Sequence, residues 1–455
     1  MKSPLGESFG LPVSRLAALL SCLVLVLSGC DAIKELFVEG PSPEQMADEA
    51  FTEGNALFSQ GNLDAAEEAF RRALRANPQH GPAAFSLAKL YHERGEDSRA
   101  LLELGSAERL LPDSREVFVL RGDILFGRGS YTESVRAYRQ ALAKGASPKV
   151  RRKMIVGLVR AGEIDAAKLE LEVLRGIDEG GPPFDAVWGL VKAGEGDVNE
   201  ARRILEEAAR SSLDPEAPYA LGWFLVHQGE PGRAVRALRQ AVELGGDIGV
   251  VRLLVNALVE AGEPEAAAEL IRPHRQSRPR DPLVHAAYAQ ALIGGGQYGD
   301  ALEAAERALE LDPRLAPAHL ARGAALEASG RLDAAIESYR RAAREAPDYA
   351  EVYRYLAEAY KSRGRNADAI GALERLLALD PSDRRGALSL IELYVTSSAH
   401  PQRGLRLVNR LLESDPGNPE LLRYRRRLQA QADAAAASTR RPGGVRKTPE
   451  IIRGR

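Results

Sequence analysis

Cysteine is nearly absent: Cys22 and Cys30 are the only two in 455 residues. So few thiols exclude a disulfide framework and a thiolate-rich zinc site. Aromatic residues make up 5% of the chain. With Ala, Leu, Arg and Glu dominant, the composition lacks the β-branched and aromatic bias of strands and favours helices. An excess of one charge is missing too. Lys plus Arg total 62 and Asp plus Glu total 64, a formal net charge of −2, which leaves no global basic field for nucleic acid. Long apolar runs are lacking. Leu16–Leu27 is the run near the start, and it is too short for the roughly 20 residues that cross a bilayer. Enzyme signatures are missing as well. None of the seven histidines sits in an HExxH, and "YHERG" at 91–95 is only a partial echo of one. There is no Walker A loop. The glycine-rich "GGGQYG" at 294–299 has no strand before it, as a dinucleotide fingerprint requires, and no GxSxG marks a strand-to-helix elbow.

The short run has a meaning of its own. Lys2 and Arg15 precede it, as in a secretory signal. Leu27-Ser28-Gly29-Cys30 follows and resembles a bacterial lipobox. The resemblance implies cleavage before Cys30, a diacylglycerol on its thiol and acylation of the new N-terminus. Two or more acyl chains give stable anchoring where one does not. Cys22 leaves with the signal, so no disulfide, zinc-thiolate or cysteine-nucleophile chemistry is expected of the mature protein.

A chain of this length suggests about three ordinary domains unless it repeats. It repeats. Gly61, Gly95, Gly129, Gly162, Gly196, Gly229, Gly262, Gly296, Gly330 and Gly364 recur every 33 or 34 residues. Five positions after each stands a small residue, from Ala66 and Ala100 to Ala335 and Ala369, with Ser134 once. Seventeen positions after stand Pro78, Pro112, Pro279, Pro313, Pro347 and Pro381; four registers lack this proline. Glycine permits the left-handed conformation that ends a helix. Alanine allows close helix approach, and proline cannot continue a helix. Between these marks the apolar spacing is helical: Leu332, Ala335, Ile336 and Tyr339 stand at i, i+3, i+4 and i+7.

This pattern resembles the tetratricopeptide repeat family, whose unit is a 34-residue helix–turn–helix. Repeat 47–80 carries it in Gly54, Leu57, Gly61, Ala66, Phe70, Ala73 and Pro78. Repeat 350–383 carries it in Tyr353, Leu356, Ala357, Tyr360, Gly364, Ala369 and Pro381. The family's tryptophan is unmatched; Ala50, Ala84, Phe118, His285, His319 and Tyr353 stand in its place. His285 and His319 therefore read as large side chains filling that slot, and no metal site is expected of them. The registers 148–181 and 182–214 diverge most. An eleventh register, about 384–417, has an insertion around 397–401 where the turn glycine is missing.

The resemblance implies an all-α, right-handed superhelical solenoid of about eleven helix pairs. The expected organisation is a signal peptide at 1–29, a tether at 30–46, the solenoid at 47–417, a capping helix at 418–434 and a basic disordered tail at 435–455. Its concave face, lined by first helices, is the expected binding surface. The register places Phe51, Asn55, Phe58, Phe85, Lys89, Asp123, Phe126, Tyr219, Trp223, Arg354, Tyr355, Glu358 and Lys361 there. Aromatics in a groove anchor peptides or partner helices. Only Asn55 matches the clamp with which some repeat proteins hold a C-terminal carboxylate; Phe51, Ser86 and Glu116 depart from it. The functional expectation is a non-catalytic, lipid-anchored periplasmic scaffold without cofactor, small-molecule substrate or nucleic-acid partner. It would bind envelope proteins of a pilus, secretion, outer-membrane or exopolysaccharide machine. The alternative is an adaptor that recruits and modulates a cell-wall or polysaccharide enzyme. Asp31 resembles an inner-membrane retention signal of some enteric bacteria, but that rule is not general and the outer membrane is favoured.

Overall fold

The computed structural model describes residues 41–178, 180–398 and 400–439. Cys30, the lipobox and residues 440–455 of the basic tail lie outside the described residues. Among those described there are 23 helices and no strand. They come as successive antiparallel pairs. These are α1 (Pro43–Ser59) with α2 (Leu63–Ala76), α3 (Gly81–Glu93) with α4 (Asp97–Leu110), α5 (Arg115–Gly127) with α6 (Tyr131–Ala143), and α7 (Pro148–Arg160) with α8 (Ile164–Arg175). Then come α9 (Pro182–Glu195) with α10 (Val198–Ser211), α11 (Glu216–Gln228) with α12 (Pro231–Glu243), α13 (Ile248–Glu260) with α14 (Pro264–Ser277), and α15 (Pro282–Gly294) with α16 (Tyr298–Leu311). The last pairs are α17 (Ala316–Ala328) with α18 (Leu332–Glu345), α19 (Ala350–Ser362) with α20 (Asn366–Leu379), and α21 (Arg384–Ser397) with α22 (Pro401–Ser414); α23 (Pro419–Thr439) stands alone at the end. The fold is the all-α repeat solenoid expected from the glycine column.

Ten turn glycines have φ between 70° and 87°, the left-handed region that each helix end requires. In the last hairpin the glycine is absent, and Ser398 takes φ 53° in its place. Glycines inside the first helices serve a different end. A Cβ at Gly122 would lie 2.4 Å from the Tyr138 ring, at Gly222 2.4 Å from Leu238, and at Gly323 2.3 Å from the Tyr339 ring. Each bulky second-helix residue thus sits in a notch of its own first helix, sixteen positions earlier.

The chain divides into two compact units at residue 83. The first holds α1, α2 and the loop after them. α1 starts at Pro43, four residues before the expected start of the array, because Ser42 and Gln45 close a reciprocal capping box. Phe70 fills the notch at Gly54. His80 Nδ1 accepts a hydrogen bond from the Ala83 N–H at 3.0 Å. The proton therefore sits on Nε2, which donates to Asp48 at 3.0 Å.

Within the second unit the array coils until later loops meet earlier turns. The Arg128 guanidinium pairs with Asp312, 184 residues away. The Thr132 N–H donates to Asp348, 216 residues away, and Gln228 Nε2 donates to the Ser382 carbonyl at 2.7 Å. Arg252 reaches the Gly127 carbonyl at 3.0 Å, and Arg385 reaches Glu260 at 2.6 Å. Tyr131 packs into the same apolar cluster as Leu320, Tyr349 and Leu356.

Candidate functional site

Coiling decides what the first helices can offer. In the first unit Asn55 is exposed and Phe58 half-buried. Phe51 lies against the Phe70 and His80 rings, at 6.1 and 5.0 Å between centroids. In the second unit Lys89 and Glu358 are exposed and Phe85 is half-buried. Phe126 meets the Tyr131 ring edge-on at 5.1 Å. Asp123 accepts from Tyr138 Oη at 2.7 Å and from Lys153 Nζ at 2.7 and 2.8 Å. Tyr355 stacks near Tyr339 at 5.6 Å, and Lys361 pairs with Glu358 at 3.3 Å. Trp223 and Arg354 are interior: Trp223 is only 5% exposed, and Arg354 pairs at 2.7 Å with the fully buried Asp383. The sequence register places these two on the groove wall, but the coil covers that wall from the other side.

Where first helices face one another a small chamber remains, about 70 Å³ in volume. Tyr219 and Trp223 line it, together with Tyr131, Arg160, Arg252, Tyr349, Glu351, His227 and Asp380. Arg160 lies 4.0 Å over the Trp223 ring and donates to Tyr219 Oη at 3.0 Å. The His227 ring centroid lies 4.3 Å from that of Trp223, the two planes tilted by 39°. Burial pushes the Tyr131 phenol up to about 12. Burial, and then the Glu351 carboxylate, raises Tyr349 well above the usual range. Both phenols remain protonated donors at any physiological pH.

At the chamber wall the loop after α20 brings Asp380 and Asp383 to His227 of α11. Burial opposes the charge of Asp383, but Arg354, His227 and the Gly386 N–H together hold its carboxyl below the usual range. Burial also works against the Arg354 charge, yet Asp383 and Glu351 keep that guanidinium above its ordinary pKa. This cluster escapes sequence reasoning, because its members stand far apart and in no motif spacing. The "DPSD" of 380–383 reads as a helix boundary.

The histidine pair has a simpler structural role. His285 and His319 Nε2 each donate, at 2.9 Å, to the carbonyl six residues earlier, Pro279 and Pro313. Tyr353 Oη does the same to Pro347 at 2.9 Å. A carbonyl only accepts, so both imidazoles carry the proton on Nε2. Burial lowers the pKa of both rings, keeping them neutral near pH 7.

Apart from Met46 on α1, the large exposed apolar side chains among the described residues lie on second helices or loops. Leu169 and Val173 of α8 are 71% and 48% exposed, and Leu213 is 91% exposed. No helix among the described residues is long and apolar enough to cross a membrane.

Comparison with known proteins bears on the whole array. One family model, described as tetratricopeptide repeat, matches residues 225–291 and 326–393; a second of the same description matches 51–115, 187–247 and 287–350. Together they cover more than half of the chain. Cellulose synthase 2 operon protein C of Komagataeibacter xylinus is 26% identical over 266 residues, 56% of this chain and 19% of that protein. Small glutamine-rich tetratricopeptide repeat-containing protein 2 of Mycosarcoma maydis is 34% identical over 116 residues, 25% of this chain and 33% of that protein. The chain thus matches a third or less of either relative's length. Among solved structures, the Cut9–Hcn1 hetero-tetramer of the APC/C aligns over 82% of both chains at 17% identity with a TM-score of 0.43. A thermophilic repeat protein of Thermus thermophilus aligns over 40% of this chain and 99% of its own at 24% identity, TM-score 0.34.

Proposed function

Because the chain belongs to the tetratricopeptide repeat family, we propose that it is a non-catalytic scaffold of a bacterial envelope, held by lipid on Cys30 and docking partner proteins in the periplasm. The observation that carries the docking role is the recurrence of the helical hairpin along the described chain, since stacked hairpins present an extended surface to other proteins. The lipobox resemblance at Leu27–Cys30 supports the anchor, with the outer membrane favoured. Partners meet the solvent-facing parts of the first helices, around Asn55 and Phe58 in the first unit and around Phe85, Lys89 and Glu358 in the second. Anchoring confines the array near one membrane, so several weak contacts act together at high effective concentration. Among pilus, secretion, outer-membrane and exopolysaccharide machines, likeness to a protein named for a cellulose synthase operon favours the last. That likeness equally supports the second reading, an adaptor that modulates a polysaccharide enzyme.

The test is a crosslinked pull-down from intact cells, comparing the native protein with Cys30→Ala and reading the N-terminus by mass spectrometry. Envelope partners lost in Cys30→Ala, with an N-terminus at Cys30, are expected. An unprocessed Met1 with cytoplasmic partners sinks the anchored reading. A changed rate of a captured polysaccharide enzyme on adding purified array selects the adaptor.

A further inference from the structure

Beyond any docking role, the buried cluster at the chamber wall is short of one cation. We propose that His227, Asp380 and Asp383 bind one divalent metal ion of the zinc class, through His227 Nε2, Asp380 Oδ2 and one oxygen of Asp383. Their candidate ligand atoms lie within 4.8 Å of one another, and all three residues are buried.

Every remaining polar atom of the trio already has a partner that orients it. His227 Nδ1 lies 2.8 Å from the Trp223 carbonyl. A carbonyl only accepts, so Nδ1 carries a proton, and in the neutral ring the Nε2 lone pair points away from it. Asp380 Oδ1 accepts from the Ser382 N–H at 3.0 Å and from Ser382 Oγ at 2.7 Å. Asp383 Oδ1 accepts from the Gly386 N–H at 2.7 Å, and its Oδ2 from Arg354 at 2.7 Å. Asp380 Oδ2 alone has no partner, in a residue only 5% exposed. It faces His227 Nε2 at 3.7 Å. Two acceptors at that separation, each about 2.1 Å from a shared ion, subtend an angle of roughly 120°, near the tetrahedral and trigonal range that zinc takes. A histidine whose other nitrogen is fixed by a backbone carbonyl is the usual outer-shell arrangement of a metal ligand.

Charge points the same way. Two buried carboxylates, Asp380 and Asp383, face one half-buried guanidinium, that of Arg354, so with a neutral His227 these four groups carry a net negative charge largely away from water, which is costly unless balanced. Calcium and magnesium are disfavoured, because both require about six or more oxygen ligands. One imidazole and two carboxylates suit zinc and its neighbours. A fourth position is available to water from the chamber, which His227 and Asp380 also line.

The experiment uses the full chain stripped with a chelator, then titrated with Co2+ and back-titrated with Zn2+, with metal also supplied during refolding because the site is enclosed. One Co2+ per chain, coloured as a four-coordinate ion and displaced by Zn2+, is expected. His227→Gln and Asp380→Asn should each weaken binding at least tenfold, while His274→Gln leaves it unchanged. If Asp380→Asn fails to reach native helicity by circular dichroism, His227→Gln decides. A native chain that stays colourless with Co2+ and gains no urea resistance from Zn2+ refutes the site. Binding that persists undiminished in His227→Gln refutes it equally.

Discussion

Replacing Gly162 with alanine and comparing it with the same change at Gly330 separates local turn strain from contact across the coil. The two glycines have φ of 76° and 77°. An alanine in the left-handed region costs about 1–2 kcal/mol at either site. The surroundings differ. Nothing lies within 4 Å of a Cβ at Gly330. A Cβ at Gly162 would lie 2.7 Å from the Ala378 carbonyl oxygen and 2.9 Å from the Leu379 Cα. Those are backbone atoms of a different hairpin and cannot rotate aside, so overpacking adds a further 1–3 kcal/mol or so. Gly330→Ala should therefore cost about 1–2 kcal/mol and Gly162→Ala about 2–5. Hydrogen exchange followed by mass spectrometry gives the sharper test. Gly330→Ala should loosen α17, α18 and their neighbours. Gly162→Ala should loosen α7 and α8 and also the remote segment 376–383. If its loss of protection stays confined to 148–175, the second unit does not close on itself as described.

Asp281 is 1% exposed, and burial, then the nearby Asp97 carboxylate, raises its carboxyl to about 6. Its folded pKa lies above the unfolded value of 3.8, so ionised Asp281 opposes folding above about pH 6, and its cost fades as pH falls toward 4. Asp281→Asn keeps an acceptor for the Leu283 and Val284 N–H groups. It should stabilise the chain by up to roughly 3 kcal/mol at pH 7.5 and by nothing near pH 3.5; urea midpoints at the two pH values check this, and a pH-independent difference contradicts it. Arg128→Ala leaves the buried Asp312 unpaired and should cost about 3–5 kcal/mol, whereas Arg128→Met with Asp312→Leu should recover most of that loss; denaturation of the single and double variants decides. Ala335, fully buried, should not accept tryptophan: overpacking of about 1–3 kcal/mol or more is expected there, with exchange rising most in α17 to α19.

The hairpins were legible in the sequence because each is set by a local requirement. A left-handed turn needs glycine at ten positions, and a notch for Tyr138 or Tyr339 needs glycine at 122 or 323. The missing glycine of the last hairpin was visible as well, though not that Ser398 would adopt its conformation. The inner face was less legible. Register places Trp223 and Arg354 on a first-helix surface, and they do lie there, but what covers that surface comes from hairpins far along the chain. Superhelical pitch accumulates from small rotations at every interface, and no residue pattern encodes the sum. For the same reason the meeting of His227 with Asp380 and Asp383 leaves no trace in spacing.

Arrays of this kind grow and shrink by whole units, and an open one tolerates that change almost anywhere. The pairing of Arg128 with Asp312 across 184 residues removes that tolerance. Loss of one hairpin between them would shift every later loop one place around the coil. Asp312 and Asp348 would leave their partners together, and Ser382 with them where the lost hairpin lies beyond Gln228. The number of units between these contacts is therefore fixed by ring-like closure. Insertions and deletions should be found in relatives only at the two ends or as loops pointing outward, never as a unit gained or lost within the coil.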